Sequence, residues 1–330
     1  MTDRASDDLD LLLRLWEAEQ QLDYPRVREL AGALPPERLL EVEEFALLLL
    51  YAHVRLGDTV RAESLMRTLE PRFAPPRQDR RRSRFLFAAA EIALEQGRLD
   101  ESEALVHQAL EYVHGAGDAT LEVHGMITLG IVAGIRGDFV QALRHHARAL
   151  ASASGGSARW IPYLHQNLGI SYRELGFTAE AKRHLEEAAR YPRPPYVKAC
   201  GELERALLLL AVGDGAAAWA LARHALATFE RIQAPAWVAE ARSVLGEIAV
   251  NQGWWPQARE ELEAALRLIP SDNLLLAAQV HEEIAALEAA SGESWTGGEA
   301  ARRAERLYEQ LGAAPRLERM RERLGVPAAR

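Results

Sequence analysis

The stretch Leu129–Leu150, LGIVAGIRGDFVQALRHHARAL, decides the fold. Its central glycine, Gly137, is followed five, nine and twelve residues later by Ala142, His146 and Ala149, and preceded seven residues earlier by Gly130. Spacings of four and three place side chains on one stripe of a helix. Small residues on both sides of the glycine therefore predict two closely packed antiparallel helices, with Gly137 ending the first and opening the turn.

Working outward, the same glycine recurs as Gly57, Gly97, Gly137, Gly176, Gly213, Gly253 and Gly292, at intervals of 40, 40, 39, 37, 40 and 39 residues. A near-constant period of this size marks stacked supersecondary units, because one unit cannot bury its own apolar face. The column seven residues before the glycine reads Leu50, Ala90, Gly130, Gly169, Ala206, Gly246 and Ala285. The column five residues after it reads Ala62, Ser102, Ala142, Ala181, Ala218, Ala258 and Gly297. A degenerate first unit turns at Leu22, Asp23 and Tyr24 and continues through Val27, Ala31 and Leu34. Leu9, Leu12 and Trp16 belong to its first helix, which Ser6, Asp7 and Asp8 suit as a helix start. Leu317, Met320 and Leu324 predict a short amphipathic helix closing the far end.

This two-helix unit resembles the tetratricopeptide repeat, most fully at Leu129–Leu150 and at Leu245–Pro270, LGEIAVNQGWWPQAREELEAALRLIP, where Pro270 matches the terminal proline of the repeat. The units are longer than the usual repeat by about a turn of helix and are similar to the long-helix variety of kinesin light chains and of sensor arms in some bacterial regulators. The resemblance implies an all-α fold: a right-handed superhelical solenoid of about eight antiparallel hairpins with a C-terminal capping helix. It also implies partner binding on the concave face, which the first helix of each hairpin lines. One domain is expected over residues 7–326, with irregular joints at 151–158 (ASASGGSA) and 191–196 (YPRPPY), neither of which reads as helix throughout.

Composition narrows the function. A single cysteine, Cys200, excludes an intramolecular disulfide framework and a cysteine metal cage. The acidic N-terminus lacks a basic segment ahead of an apolar one, and the apolar runs are too short to cross a bilayer, so a cytoplasmic protein with no membrane partner is expected. A net charge of -9 disfavours sequence-independent nucleic-acid binding. No phosphate-binding glycine loop, dinucleotide fingerprint, His-Glu-x-x-His pair or nucleophile elbow occurs, so neither catalysis nor a cofactor or metal is expected. His146 stands in a column filled elsewhere by Met66, Val106, Leu185 and Leu262, which reads as core, not as a metal ligand.

Positions ten and six residues before each turn glycine are read as groove-facing: Leu47 and Tyr51, Phe87 and Glu91, Ile127 and Ile131, Gln166 and Ile170, Leu203 and Leu207, with Trp16 in the first unit. An apolar strip on such a face suits a protein or peptide segment. The lysine, asparagine and arginine clamp of chaperone-binding relatives is missing from these columns. Two further candidates are the basic run Arg77, Arg80, Arg81, Arg82 and Arg84, for an acidic partner, and Trp254, for an interface such as a homodimer. The expected function is a non-catalytic scaffold that binds a peptide or protein segment in its groove; the alternative is a regulatory sensor module for a signalling peptide or small molecule.

Overall fold

The computed structural model describes residues 2–73, 80–116, 118–153, 155–292 and 298–325. Among them every regular element is a helix. Eight antiparallel hairpins follow in order: α1 (Thr2–Gln20) with α2 (Tyr24–Gly32), the short α3 (Pro36–Glu41), then α4 (Glu43–Arg55) with α5 (Thr59–Leu69), and α6 (Arg80–Glu95) with α7 (Leu99–Ala116). Next come α8 (Ala119–Arg136) with α9 (Phe139–Ser152), α10 (Ile161–Glu174) with α11 (Thr178–Ala189), and α12 (Pro195–Ala211) with α13 (Gly215–Arg231). The last two pairs are α14 (Pro235–Gln252) with α15 (Trp255–Leu268) and α16 (Leu274–Ser291) with α17 (Glu299–Gln310); α18 (Ala314–Leu324) closes the stack.

The turn glycines explain the register. All seven have φ between 70 and 88°, the left-handed conformation that ends a helix cheaply only when no Cβ is present. The following residue starts the next helix: the Asp58, Asp138 and Asp214 carboxylates accept the amide hydrogens of Arg61, Gln141 and Ala217. Within three hairpins the two helices interlock through a glycine of the first helix and the residue nine past the turn. A methyl on Gly130 would collide with the His146 ring, on Gly169 with Leu185, and on Gly246 with Leu262. His146 is thus a core residue, 3% exposed, whose Nε2–H donates to the Ile127 carbonyl at 3.3 Å.

Two connections between hairpins are not α-helical throughout. After α9, Gly155–Trp160 forms a 3-10 segment leading into α10. Between α11 and α12, Pro194 takes an extended ψ of 153° and Pro195 begins the next helix.

The superhelix returns onto itself. Gly57 sits against Ala236, Gly97 against Leu274, and Gly137 against Pro315 and Arg316, pairs that lie 179, 177 and 178 residues apart. One revolution therefore takes about four and a half hairpins. Hydrogen bonds fasten the two revolutions: Arg28 donates to the Ile232 carbonyl at 3.1 Å, and Tyr196 and Trp237 both donate to the Arg55 carbonyl. The Arg316 guanidinium donates to the carbonyls of Ile135 and Gly134 at 2.9 and 3.0 Å, and Arg319 reaches Glu174. A bidentate pair of Arg159 with Glu19, both contacts at 3.1 Å, ties α1 to the segment before α10.

Candidate functional site

Closure of the superhelix leaves a central cavity of about 340 Å³. Its wall comes from the first helices of successive hairpins, α4 through α16, completed by Leu22 and Tyr24 of the first turn. The lining follows five columns, two, six, nine, thirteen and sixteen residues before the turn glycines. Arg55, Glu95 and Ile135 stand in the first; Glu91, Ile131 and Ile170 in the second; Thr128, Asn167 and Glu204 in the third. Tyr163, Cys200, Glu240 and Gln279 stand in the fourth, and Trp160, Trp237 and Leu276 in the fifth. At about 100° per residue these positions fall within one arc of roughly 80°.

Of the two columns read from the sequence, only the one six residues before the glycine coincides with any of these, and it does so in three of its five members. Glu91, Ile131 and Ile170 line the cavity as read, and so does Gln166. The other residues ten before the glycine correct that reading: Leu47, Phe87 and Ile127 are fully buried and Leu203 is 2% exposed, all packed into the cores between helices. Position ten lies at the rim of the arc, turned toward the neighbouring helix. Leu207 is half-buried against the core, and Tyr51 is buried with its hydroxyl donating to the Arg84 carbonyl at 2.8 Å. Trp16 is 40% exposed, outside the cavity, its indole N–H donating to Glu44. Extending the helical period over five positions, instead of two, would have found Asn167, Glu204 and Glu240.

The basic run is also corrected. Arg77 lies outside the described residues. Arg80 pairs with Asp118 at 2.7 Å, Arg81 approaches Glu43 and Glu44, and Arg84 pairs with Glu44. Arg82 is buried, donating to the Phe73 carbonyl and the Tyr112 hydroxyl. These charges are spent within the chain, because each faces a carboxylate or carbonyl of a neighbouring element. Trp254, 36% exposed, packs edge-on against Trp219 with ring centroids 5.5 Å apart, at the cap position that aspartate fills in other turns.

One end of the cavity holds a buried polar knot. Arg55 Nη2 and His124 Nε2 both reach Glu91 Oε1, at 2.6 and 2.8 Å, while His124 stacks on Trp160 at 5.4 Å. The Arg55 guanidinium lies over the rings of Trp160 and Tyr163. Burial opposes ionisation of Glu91, but Arg55 and His124 outweigh it and hold the carboxyl below the usual range. Burial likewise depresses His124, so a neutral imidazole donates its Nε2–H to the carboxylate.

The opposite walls behave differently. Burial, then the charge of Glu91, pushes Glu95 up to about 7. Burial, then Glu204 and Glu95, pushes Glu240 up to about 8. Cys200 is also raised by burial and by Glu240 and Glu204, so its thiol stays protonated and is no nucleophile. Among the described residues no group of three His, Cys, Asp or Glu side chains could hold a metal ion, and no helix is long and apolar enough to cross a membrane.

The fold is that of a tetratricopeptide-repeat solenoid, and comparison with solved structures bears this out. A Rap protein complexed with Competence and Sporulation Factor is similar over 97% of this chain and 99% of its own, with a TM-score of 0.63 at 13% identity. The Rap conjugation gene regulator of plasmid pLS20, in complex with the Phr* peptide, is similar over 86% of this chain and 76% of its own, with a TM-score of 0.67 at 16% identity. NprR in complex with its cognate peptide NprX covers 97% of this chain and 98% of its own, with a TM-score of 0.62 at 13% identity. No protein-family model matches the sequence, and no curated protein sequence matches it.

Proposed function

We propose that the protein is a non-catalytic, cytoplasmic repeat module that binds a short peptide in its central cavity. The observation that carries this reading is the cavity itself, about 340 Å³ in volume, to which the first helices of successive hairpins contribute. Its lining mixes apolar side chains (Ile131, Ile170, Leu276), aromatic rings (Tyr163, Trp237) and amides (Gln166, Asn167, Gln279). Amide groups satisfy a peptide backbone, and the apolar and aromatic patches take its side chains. Similar folds solved with the Phr* and NprX peptides support the same occupant.

Between the scaffold and sensor readings, the contacts between revolutions favour the sensor. A ligand in the cavity touches α4 and α6 on one side and α12 and α14 on the other, so it biases how tightly the revolutions close. A protein laid along an open groove would have no such leverage. Isothermal titration against a pentapeptide library, with wild type and Ile170→Trp, tests the site. The tryptophan fills the cavity and should abolish binding while circular dichroism shows an unchanged fold; undiminished binding would place the site elsewhere.

A further inference from the structure

Two imidazoles meet across the fifth hairpin, away from the cavity wall. His165 of α10 stands eleven residues before Gly176, and His184 of α11 stands eight residues after it. The register brings these two positions together: in other hairpins they hold Leu86 with Leu105, and Arg242 with Glu261, an ion pair at 2.7 Å. Here the two Nδ1 atoms are 2.9 Å apart, one ring donating its N–H to the bare nitrogen of the other. The ring centroids are 5.1 Å apart, and Tyr172 stacks on His184 with centroids at 5.3 Å, which holds that ring in place. Both histidines are half-buried, so solvent reaches them, and neither lines the cavity.

We infer that His165 and His184 form a binding site for a divalent transition-metal ion, zinc above all, with the Nδ1 of each ring as ligand and water in the remaining positions. Zinc–nitrogen bonds of about 2.0–2.1 Å at a tetrahedral angle place two ligating nitrogens about 3.3 Å apart and the centroids of their rings about 5.2 Å apart. The two rings already stand at that centroid separation. Entry of the ion needs the nitrogens to part by about 0.4 Å, a small turn of each ring, and the proton on one Nδ1 to move to Nε2 of the same ring. Imidazole nitrogen suits zinc, copper and nickel and does not suit magnesium or calcium. Burial lowers both histidines, and the neighbouring His165 and Arg183 lower His184 further, so both rings are neutral near pH 7, the form that binds metal. Glu187, less than one turn beyond His184, acts on both rings in the opposite sense and supplies the negative charge that favours a dication nearby. Because the ligands come from α10 and α11, and only the folded hairpin presents both, a bound ion staples the two helices and adds to their stability. That hairpin lies between the two connections that are not α-helical throughout, so the staple acts where the stack is least regular.

The test is calorimetric titration of zinc chloride, in a buffer that does not chelate, into metal-free wild type, a His165→Leu, His184→Leu double variant and the control His145→Leu. The leucines reproduce Leu86 and Leu105 of the third hairpin, so circular dichroism should show the double variant folded. Wild type and His145→Leu should bind one zinc per chain, and the double variant should bind it at least about a hundredfold more weakly. Saturating zinc should raise the thermal midpoint of wild type and leave that of the double variant unchanged. A second readout needs no folded double variant: substoichiometric copper(II), which is paramagnetic, should broaden the ring-proton resonances of His165 and His184 in wild type before those of the other histidines. Equal zinc binding by the double variant, broadening centred on other histidines, or no binding by wild type at about 1 mM zinc would overturn the inference and leave the two rings joined by a hydrogen bond alone.

Discussion

Gly57→Ala separates two roles of one residue. Its φ of 70° requires the left-handed region, and its Cα faces Ala236 of the next revolution, where an added methyl collides with the Ala236 methyl. Gly213 is the matched control: its φ is 87°, and a methyl there meets nothing within 4 Å. Gly213→Ala should therefore cost only the left-handed strain, about 1–2 kcal/mol. Gly57→Ala should cost the same strain plus about 1–3 kcal/mol of overpacking, because Ala236 lies on helix backbone that cannot yield by rotating a side chain. Urea unfolding followed by far-UV circular dichroism ranks the two by midpoint, and small-angle scattering should show a larger radius of gyration for Gly57→Ala alone. Equal midpoint shifts and unchanged scattering would refute the packing of the revolutions at this point.

Two other outcomes follow from the core and the cavity. Gly130→Ala should be severely destabilising because the His146 ring occupies the space, whereas His146→Leu should be tolerated, since Leu185 and Leu262 fill the same column over Gly169 and Gly246. Burial lowers His146 to about 4, so the unfolded chain binds its proton more readily between pH 6.5 and 4; the wild type should lose stability as pH falls through that window, and His146→Leu should lose less, as thermal melts will show. Glu240 acts in the opposite sense. Held up to about 8 by burial and by Glu204 and Glu95, it keeps a proton that the unfolded chain releases near 4.5, so its contribution declines as pH rises from about 4.5 to about 8. Melting temperatures at pH 5 and pH 8.5 should differ less for Glu240→Gln than for wild type; an unchanged difference would show that the carboxyl is ionised throughout.

The hairpins were legible because their determinants are local. A turn glycine with positive φ, a small residue facing the partner helix and, in the turns at Asp58, Asp138 and Asp214, an aspartate capping the next helix all act within about twenty residues, so the signal is repeated along the chain. Gly137, Asp138, Gly130 and His146 together specify one hairpin, and the period then specifies eight. The groove columns were half legible. The helical period picks out the face that holds Glu91, Ile131 and Ile170, but the choice between position nine and position ten before the glycine depends on how far each helix is rolled against its neighbours. That roll placed Asn167 and Glu204 in the cavity and Leu47, Phe87, Ile127 and Leu203 in the cores.

The sequence by itself determined the unit, its count and its capping helix. Only the tertiary structure decided that the array returns on itself after about four and a half hairpins, and so turns an open groove into a cavity. The physical reason is accumulation. A small rotation at each hairpin interface, set by how the side chains pack, adds up over roughly 178 residues until Gly57 meets Ala236 and Gly137 meets Arg316. No pattern within one repeat encodes that sum. It also brings Glu95 near Glu240, two acidic residues that look like solvated surface in the sequence and in the fold face one cavity, where burial raises both.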